Sequence, residues 1–307
     1  MRCCLIGGSG LIGSHLASLL AASGRELTVV GRSAAPVRKL PLGTKYVCAD
    51  YADQQLLRKL ILQTDEVVDL AYATVPQTSF ADPIFDIQAN LPPTVSMLRS
   101  AADADLRRVV LISSGGTVYG AARSLPINEE HPTDPISPYG ITKLTIEKYG
   151  LMFHQLTGLP AIIVRPGNAF GPGQIPGVGQ GFVATAIARV LSNRAVTIYG
   201  REGTIRDYVH VTDLARGIVS ALEHGKPGSC YNIGTGIGKS NLDVLRTIEP
   251  LASAHGRRIE TRVDERRGFD VPVNILDSAR LREVSGWAPR VSFEAGIEET
   301  WNFLANA

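Results

Sequence analysis

Tyr139 and Lys143 stand four residues apart in SPYGITK, a spacing that puts both side chains on one face of a helix. An unperturbed tyrosine hydroxyl titrates near ~10, too high for a base at neutral pH. A neighbouring ammonium stabilises phenolate and draws that value toward the working range. Ser137 as N-cap and Pro138 in the first turn mark the start of the helix, and an apolar run upstream closes on Ser113 and Ser114. Tyr139 is therefore expected to move a proton, with Lys143 beside it.

Such a pair needs a hydride acceptor nearby. Gly7, Gly10 and Gly13 form GxxGxxG in GGSGLIG, directly after a short apolar run and at the opening of a helical pattern. Glycines there let the chain turn tightly and bring backbone N–H groups, with the positive end of the helix, against a pyrophosphate. A dinucleotide site is expected. The second apolar run ends in Val30, Gly31, Arg32 and Ser33, where an NAD binder usually carries a carboxylate for the ribose hydroxyls. Arg32 is either a partner for a 2′-phosphate, which favours NADP, or a solvated loop arginine. Asp50 is read as an acceptor for the adenine amino group or as a helix cap.

The elements that must position these residues follow a βαβ rhythm. Apolar runs at 3–6, 26–30, 45–48, 67–70, 109–112 and 161–164 alternate with helical patterns at 11–22, 54–62 and 138–156. The expected fold is α/β, a Rossmann-type doubly wound parallel sheet with a smaller mixed α/β substrate-binding lobe. Residues 1–166 are assigned to the dinucleotide-binding domain, with a returning segment at about 208–232. Residues 167–207 and 233–307 are assigned to the lobe, which is expected to hold helices at 241–254 and 293–304 and short strands near Thr197 and Ile259. Trp287 and Trp301 read as packing residues and His210 as a structural hydrogen-bonder.

The 307 residues carry 31 Lys plus Arg against 29 Asp plus Glu, a net charge of +2 that gives no global attraction to nucleic acid or an acidic membrane. With 44% hydrophobic and 20% charged residues the chain is neither disordered nor fibrous. The apolar run at 3–6 is too short for a secretory signal, and no run approaches a membrane span. Cys3, Cys4, Cys48 and Cys230 are expected to be buried free thiols, and neither CxxC nor HExxH is present, so no metal site is expected. A cytoplasmic location follows as the expectation.

Taken together, GGSGLIGSH, SSGGTVYG, SPYGITK, RPGNAFGP, RDYVHVTD and YNIGTG resemble, nearly end to end, the extended short-chain dehydrogenase/reductases, most closely the UDP-glucose 4-epimerase family. The resemblance implies a cofactor, NAD or NADP, lined by Gly7, Gly10, Leu11, Ile12, Gly13, Arg32, Asp50, Tyr51, Ala71, Asn90, Ser113, Tyr139, Lys143 and Pro166. It places Asn168 at a sugar diphosphate and makes Arg206 and Arg267 phosphate clamps, roles that suit a guanidinium fork. It also implies a homodimer, to which helices at 92–102 and 141–156 would contribute.

Where the family has Ser or Thr three residues before the Val of VYG, this chain has Gly115. The hydroxyl that meets the sugar is then expected from Thr117, on the parity of an extended strand end, or from Ser114. The 4,6-dehydratases carry an Asp-Glu pair just before VYG for their extra acid–base work, and UDP-glucuronate decarboxylases keep the glutamate. Gly116 and Thr117 here argue against both. The reaction implied is 4-epimerisation of a UDP-hexose or UDP-N-acetylhexosamine through a 4-keto sugar. Asn274 replaces a bulkier family residue beside the sugar and would leave room for an N-acetyl group. Two alternatives are an NADPH-dependent reductase of a nucleotide-linked keto sugar, supported by Gly31 and Arg32, and a non-catalytic dinucleotide sensor or scaffold, supported by Gly115.

Overall fold

The computed structural model describes residues 1–177, 181–201 and 203–306; residues 178–180, within the glycine- and proline-crowded crossing to the lobe, lie outside it. In chain order the first half comprises β1 (Arg2–Ile6), α1 (Leu11–Ala22), β2 (Glu26–Gly31), β3 (Lys45–Cys48), α2 (Gln54–Ile61), β4 (Glu66–Asp69), α3 (Pro76–Ala81), α4 (Pro83–Ala102), β5 (Arg108–Ile112), α5 (Pro138–Thr157) and β6 (Ala161–Pro166). There follow β7 (Asn168–Phe170), α6 (Phe182–Leu191), β8 (Val196–Tyr199), β9 (Ile205–His210), α7 (Val211–His224), β10 (Cys230–Ile233) and β11 (Gly238–Ser240). The chain closes with α8 (Asn241–Ala254), β12 (Thr261–Asp264), β13 (Val273–Asn274), α9 (Ala279–Ser285) and α10 (Phe293–Ala305).

Seven strands form one sheet in the order β10-β6-β5-β4-β1-β2-β3, every pair parallel. The order steps outward from β1 in both directions, so the strand ends on either side of it open a crevice where a ligand can lie. The inner strands are mostly apolar because helices cover both faces: α1 and α7 pack over Leu5, Val29, Val68 and Val110 on one side, α2, α4 and α5 over Ile6, Val67, Val109 and Leu111 on the other. The lobe is built on β9, which pairs with β7, β11 and β13, while β8 and β12 form a separate two-stranded ladder. Its own core gathers Phe170, Ile187, Tyr208, Ile248 and Trp301.

Two departures from the sequence reading have clear causes. Cys3 and Cys4 are buried, Cys230 is half-buried, but Cys48 is exposed, because β3 is the sheet's edge strand and shows its last residue to water. All four are free thiols. The helix expected at 92–102 begins at Pro83, with Pro92 and Pro93 inside it. Pro83 sits where a helix N-terminus tolerates proline, after an Asp82 cap that accepts from Phe85 N at 2.9 Å.

Candidate active site

The first turn of the sheet meets the demands of a pyrophosphate. Gly7 takes φ +76°, and a Cβ there would stand 2.9 Å from Ala71 N; a Cβ on Gly13 would fall 2.5 Å from Gly8 Cα. At both positions backbone fills the space a side chain would use, so the turn stays close. Gly10 caps α1 without any side-chain hydrogen bond, leaving the first N–H groups, including those of Leu11, Ile12 and Gly13, open at the positive end of the helix. This cradle fits a dinucleotide: its backbone donors would hold the diphosphate, and the bound nicotinamide would supply a hydride acceptor.

Near the end of β2 no carboxylate stands. A Cβ on Gly31 would lie 2.6 Å from Tyr46 Oη and 3.1 Å from Ser9 Oγ, so a side chain there would displace the Tyr46 hydroxyl from Ser33 O. Arg32 is exposed; Arg38 reaches across to the carbonyls of Ser9, at 3.5 Å, and Gly173. Asp50 is exposed and neither caps α2 nor points inward: its Oδ1 accepts from Ala52 N at 2.8 Å, and the cap is Asp53. Tyr51 donates to Asp69 Oδ2 at 2.6 Å, and burial raises the Asp69 carboxyl to about 6. Asn90 is fully buried and accepts from Ala73 N at 2.7 Å, pinning the segment after β4 to α4.

The N-cap expected of α5 is present, Ser137 Oγ accepting from Gly140 N at 3.1 Å. One turn on, Tyr139 and Lys143 are both buried. Lys143 Nζ donates to Ile112 O at 2.8 Å and lies 5.9 Å from the Tyr139 ring centre. It lies closer, at 3.9 Å, to the ring of Tyr72, which meets Tyr139 edge-on at 4.8 Å. Burial lowers the lysine to about 8, opposed by Asp69, Glu147 and Asp86. The expectation of a depressed Tyr139 is not met by the protein alone: burial first, and Asp86 second, push the phenol above its ordinary value.

Ser113 is committed elsewhere, its hydroxyl on Glu147, which forms a buried pair with Arg165 at 2.6 Å. Residues 115–119 form turns, with Thr117 N and Val118 N both reaching Ser114 O, so the strand-parity argument for Thr117 fails in its premise. Thr117 Oγ1 is nevertheless buried without a partner among the described residues. Asn168 Oδ1 comes within 3.5 Å of where a Gly116 Cβ would stand, so Asn168 and this turn face each other. Pro166 O accepts from Gly115 N at 2.9 Å.

From the lobe, Arg206 is lowered first by burial and further by the nearby cation of Arg267. Arg267 lies over Tyr199 at 4.2 Å and pairs with Asp270 at 2.7 Å. Asn274 is not an open wall. It is buried, and its Nδ2 donates 2.8 Å to Gly115 O while Oδ1 has no partner among the described residues. Asp207, beside Arg206, accepts from Thr235 N, Gly236 N and Leu276 N, which explains why RDYV and YNIGTG occur together. The structure thus brings Lys143 to Ile112 O at the end of β5, Thr117 O against Gly140 on α5, and Asn168 against Gly116, while Ser113, Asp50 and Asn90 make the hydrogen bonds given above. Tyr72 and Asp86 escaped sequence reading because neither belongs to a motif.

A family model described as the NAD dependent epimerase/dehydratase family matches residues 3–234. The chain belongs to that family. It is an enzyme of the extended short-chain dehydrogenase/reductase type. Over 315 residues it is 34% identical to a UDP-glucose 4-epimerase of Mycolicibacterium smegmatis, covering 100% of this chain and 99% of the relative. A UDP-glucose 4-epimerase of Thermus thermophilus solved with NAD superposes with a TM-score of 0.93 at 31% identity, over 100% of both chains. A UDP-glucuronic acid 4-epimerase of Bacillus cereus, solved with UDP-glucuronic acid and NAD, gives 0.91 at 25% identity, over 100% of this chain and 99% of the other. Among the described residues no cluster suits a metal ion, and no helix is long and apolar enough to cross a membrane.

Proposed function

We propose that this member of the epimerase/dehydratase family is a UDP-hexose 4-epimerase that keeps its nicotinamide cofactor bound through the cycle. The observation that carries the reading is the pairing of Tyr139 and Lys143 with a facing turn, residues 114–117, that offers hydroxyls and glycines and no carboxylic acid. A second elimination step would need an acid and a base there; a reversible oxidation at C4 does not. Tyr139 takes the proton of the C4 hydroxyl and later returns it. Lys143 holds positive charge beside the phenol, and Ser114 or Thr117 donates to the sugar oxygen. Arg206 and Arg267 hold the diphosphate with Asn168, so the sugar can turn over while its nucleotide stays fixed.

The extension of the substrate range to N-acetylhexosamines rests on residue type alone, Asn274 being smaller than the residue the family carries at that place. A reductase of nucleotide-linked keto sugars is the second reading, favoured by the β2 end. Between residues 27 and 49 stand Arg32, Arg38, Lys39 and Lys45 with no carboxylate, a setting that suits the 2′-phosphate of NADPH. One experiment addresses both. Purified protein is incubated with UDP-glucose, UDP-galactose and their N-acetyl counterparts without added cofactor, and interconversion is followed by NMR. Interconversion of the hexoses is the expected result, and interconversion of the N-acetyl pair supports the wider range. No conversion, together with NADPH oxidation when keto-sugar nucleotides are supplied, selects the reductase.

A further inference from the structure

Asp86 is among the buried acidic residues that the mechanism above does not use. Asp86, in the front half of α4, is fully buried, and four donors converge on it. Thr142 Oγ1 donates to Oδ2 at 2.6 Å; Thr74 Oγ1 makes a short bond to Oδ1; Tyr72 Oη and Asn90 Nδ2 each lie 3.4 Å from Oδ1. Asn90 Nδ2 can only donate and the three hydroxyls are free to donate, so the set can satisfy an ionised carboxylate. Burying such a group is costly unless its oxygens are satisfied, and here they are.

Two of the donors lead straight to the catalytic pair. Thr142 precedes Lys143 on α5, so its bond to Asp86 fixes the turn of helix that presents both side chains. Tyr72 gives its ring face to the Lys143 ammonium at 3.9 Å and meets the Tyr139 ring at 4.8 Å. Moving Asp86 would release the ring on which Lys143 rests and the helical turn that carries it.

We propose that Asp86 is a positioning residue for Tyr139 and Lys143, holding Thr142 and Tyr72 in place and setting one fixed negative charge beneath the pair. This rests on the reading of that pair as the reacting one. The charge has a definite sign of effect. It opposes a second negative charge on the phenol and favours the ammonium, so removing it makes Tyr139 more acidic and lets Lys143 lose its proton at lower pH. The other ionisable groups facing the pair are Asp69 from β4, Tyr72 from the segment after it and Glu147 from α5. Asp69 is hydrogen-bonded to Tyr51 and Glu147 is paired with Arg165 from β6. All remain in an Asp86→Asn variant.

The test is the pH–rate profile of the cofactor-loaded enzyme on its UDP-hexose, together with ultraviolet titration of phenolate, in which subtraction of a Tyr139→Phe variant isolates Tyr139. In Asp86→Asn both limbs of the profile are expected to move to lower pH by about half a unit or more, with KM changed less than about twofold. Limbs that stay in place, or a change confined to KM, overturn the proposal. Should Asp86→Asn not fold, Thr142→Val removes one donor and leaves the charge less compensated; the Tyr139 titration is then expected to move to higher pH, and an unmoved titration overturns the proposal. The phenolate titration needs no turnover. If Tyr139→Phe kept full activity, the catalytic reading of the pair would fall while the influence of Asp86 on Tyr139 would still be measured.

Discussion

A side chain at position 115 has nowhere to go. A Cβ on Gly115 would stand 2.5 Å from Leu276 Cδ1, 3.0 Å from Arg165 O and 3.1 Å from Pro166 O. Leu276 has filled the space, and the two carbonyls cannot retreat without disturbing β6. Gly115→Ser is therefore expected to destabilise the protein by about 1–3 kcal/mol through overpacking, read as a lowered denaturation midpoint. Combining it with Leu276→Ala should give a protein more stable than the sum of the two single changes, since each relieves the other. Strict additivity would show that the clash is relieved by backbone movement instead. The sequence shows that position 115 lacks the expected hydroxyl; that Leu276, about 160 residues further along the chain, occupies its volume is a fact of packing alone.

At the scale of elements, the Gly-rich turn and α1 work as one unit, because the helix has no side-chain cap and leaves its donors to a ligand. Gly13→Ala puts a methyl group 2.5 Å from Gly8 Cα and Gly8 O, all backbone, so the turn must shift away from its path. The expected outcome is loss of retained cofactor, measured as nucleotide released on denaturing the purified protein; full stoichiometry would show that the turn tolerates a Cβ. The βαβ rhythm made most of these elements legible, since apolar runs buried on both faces alternate with helical periods. The front of α4 and the short α3 were not legible. The expected helix starts at Pro92, whereas Pro76 and Pro83 open helices and Pro92 and Pro93 lie within α4. Asp86 sits in the part of α4 that precedes the expected start.

For the molecule as a whole, apolar side chains remain on one region of the sheet's helical layer. Phe80, Ile84, Phe85 and Ile87 from α3 and α4, with Ile141, Met152 and Leu156 from α5, are exposed. The expectation that helix 92–102 would supply this face is shifted toward its N-terminal neighbour, because Met97 and Leu98 are buried against the sheet. A homodimer joined through these helices is the proposed assembly. Phe85→Arg with Ile141→Arg is expected to halve the mass measured by light scattering, and an unchanged mass would place the interface elsewhere or leave the protein a monomer.

Local chemistry sufficed for the glycine turn, the Tyr139–Lys143 pair and the parallel sheet, because each depends on near neighbours: a φ only glycine adopts readily, a four-residue helical spacing, runs of apolar residues. Tertiary structure alone decided which hydroxyls are free and which are spent. It turned Ser113 to Glu147, drew Asn274 back to Gly115 O, and left Thr117 Oγ1 without a partner among the described residues. It also brought Asp86 from α4 beneath a pair that lies on α5. Those outcomes depend on groups distant in sequence competing for the same donors and the same volume, and no local pattern records which of them wins.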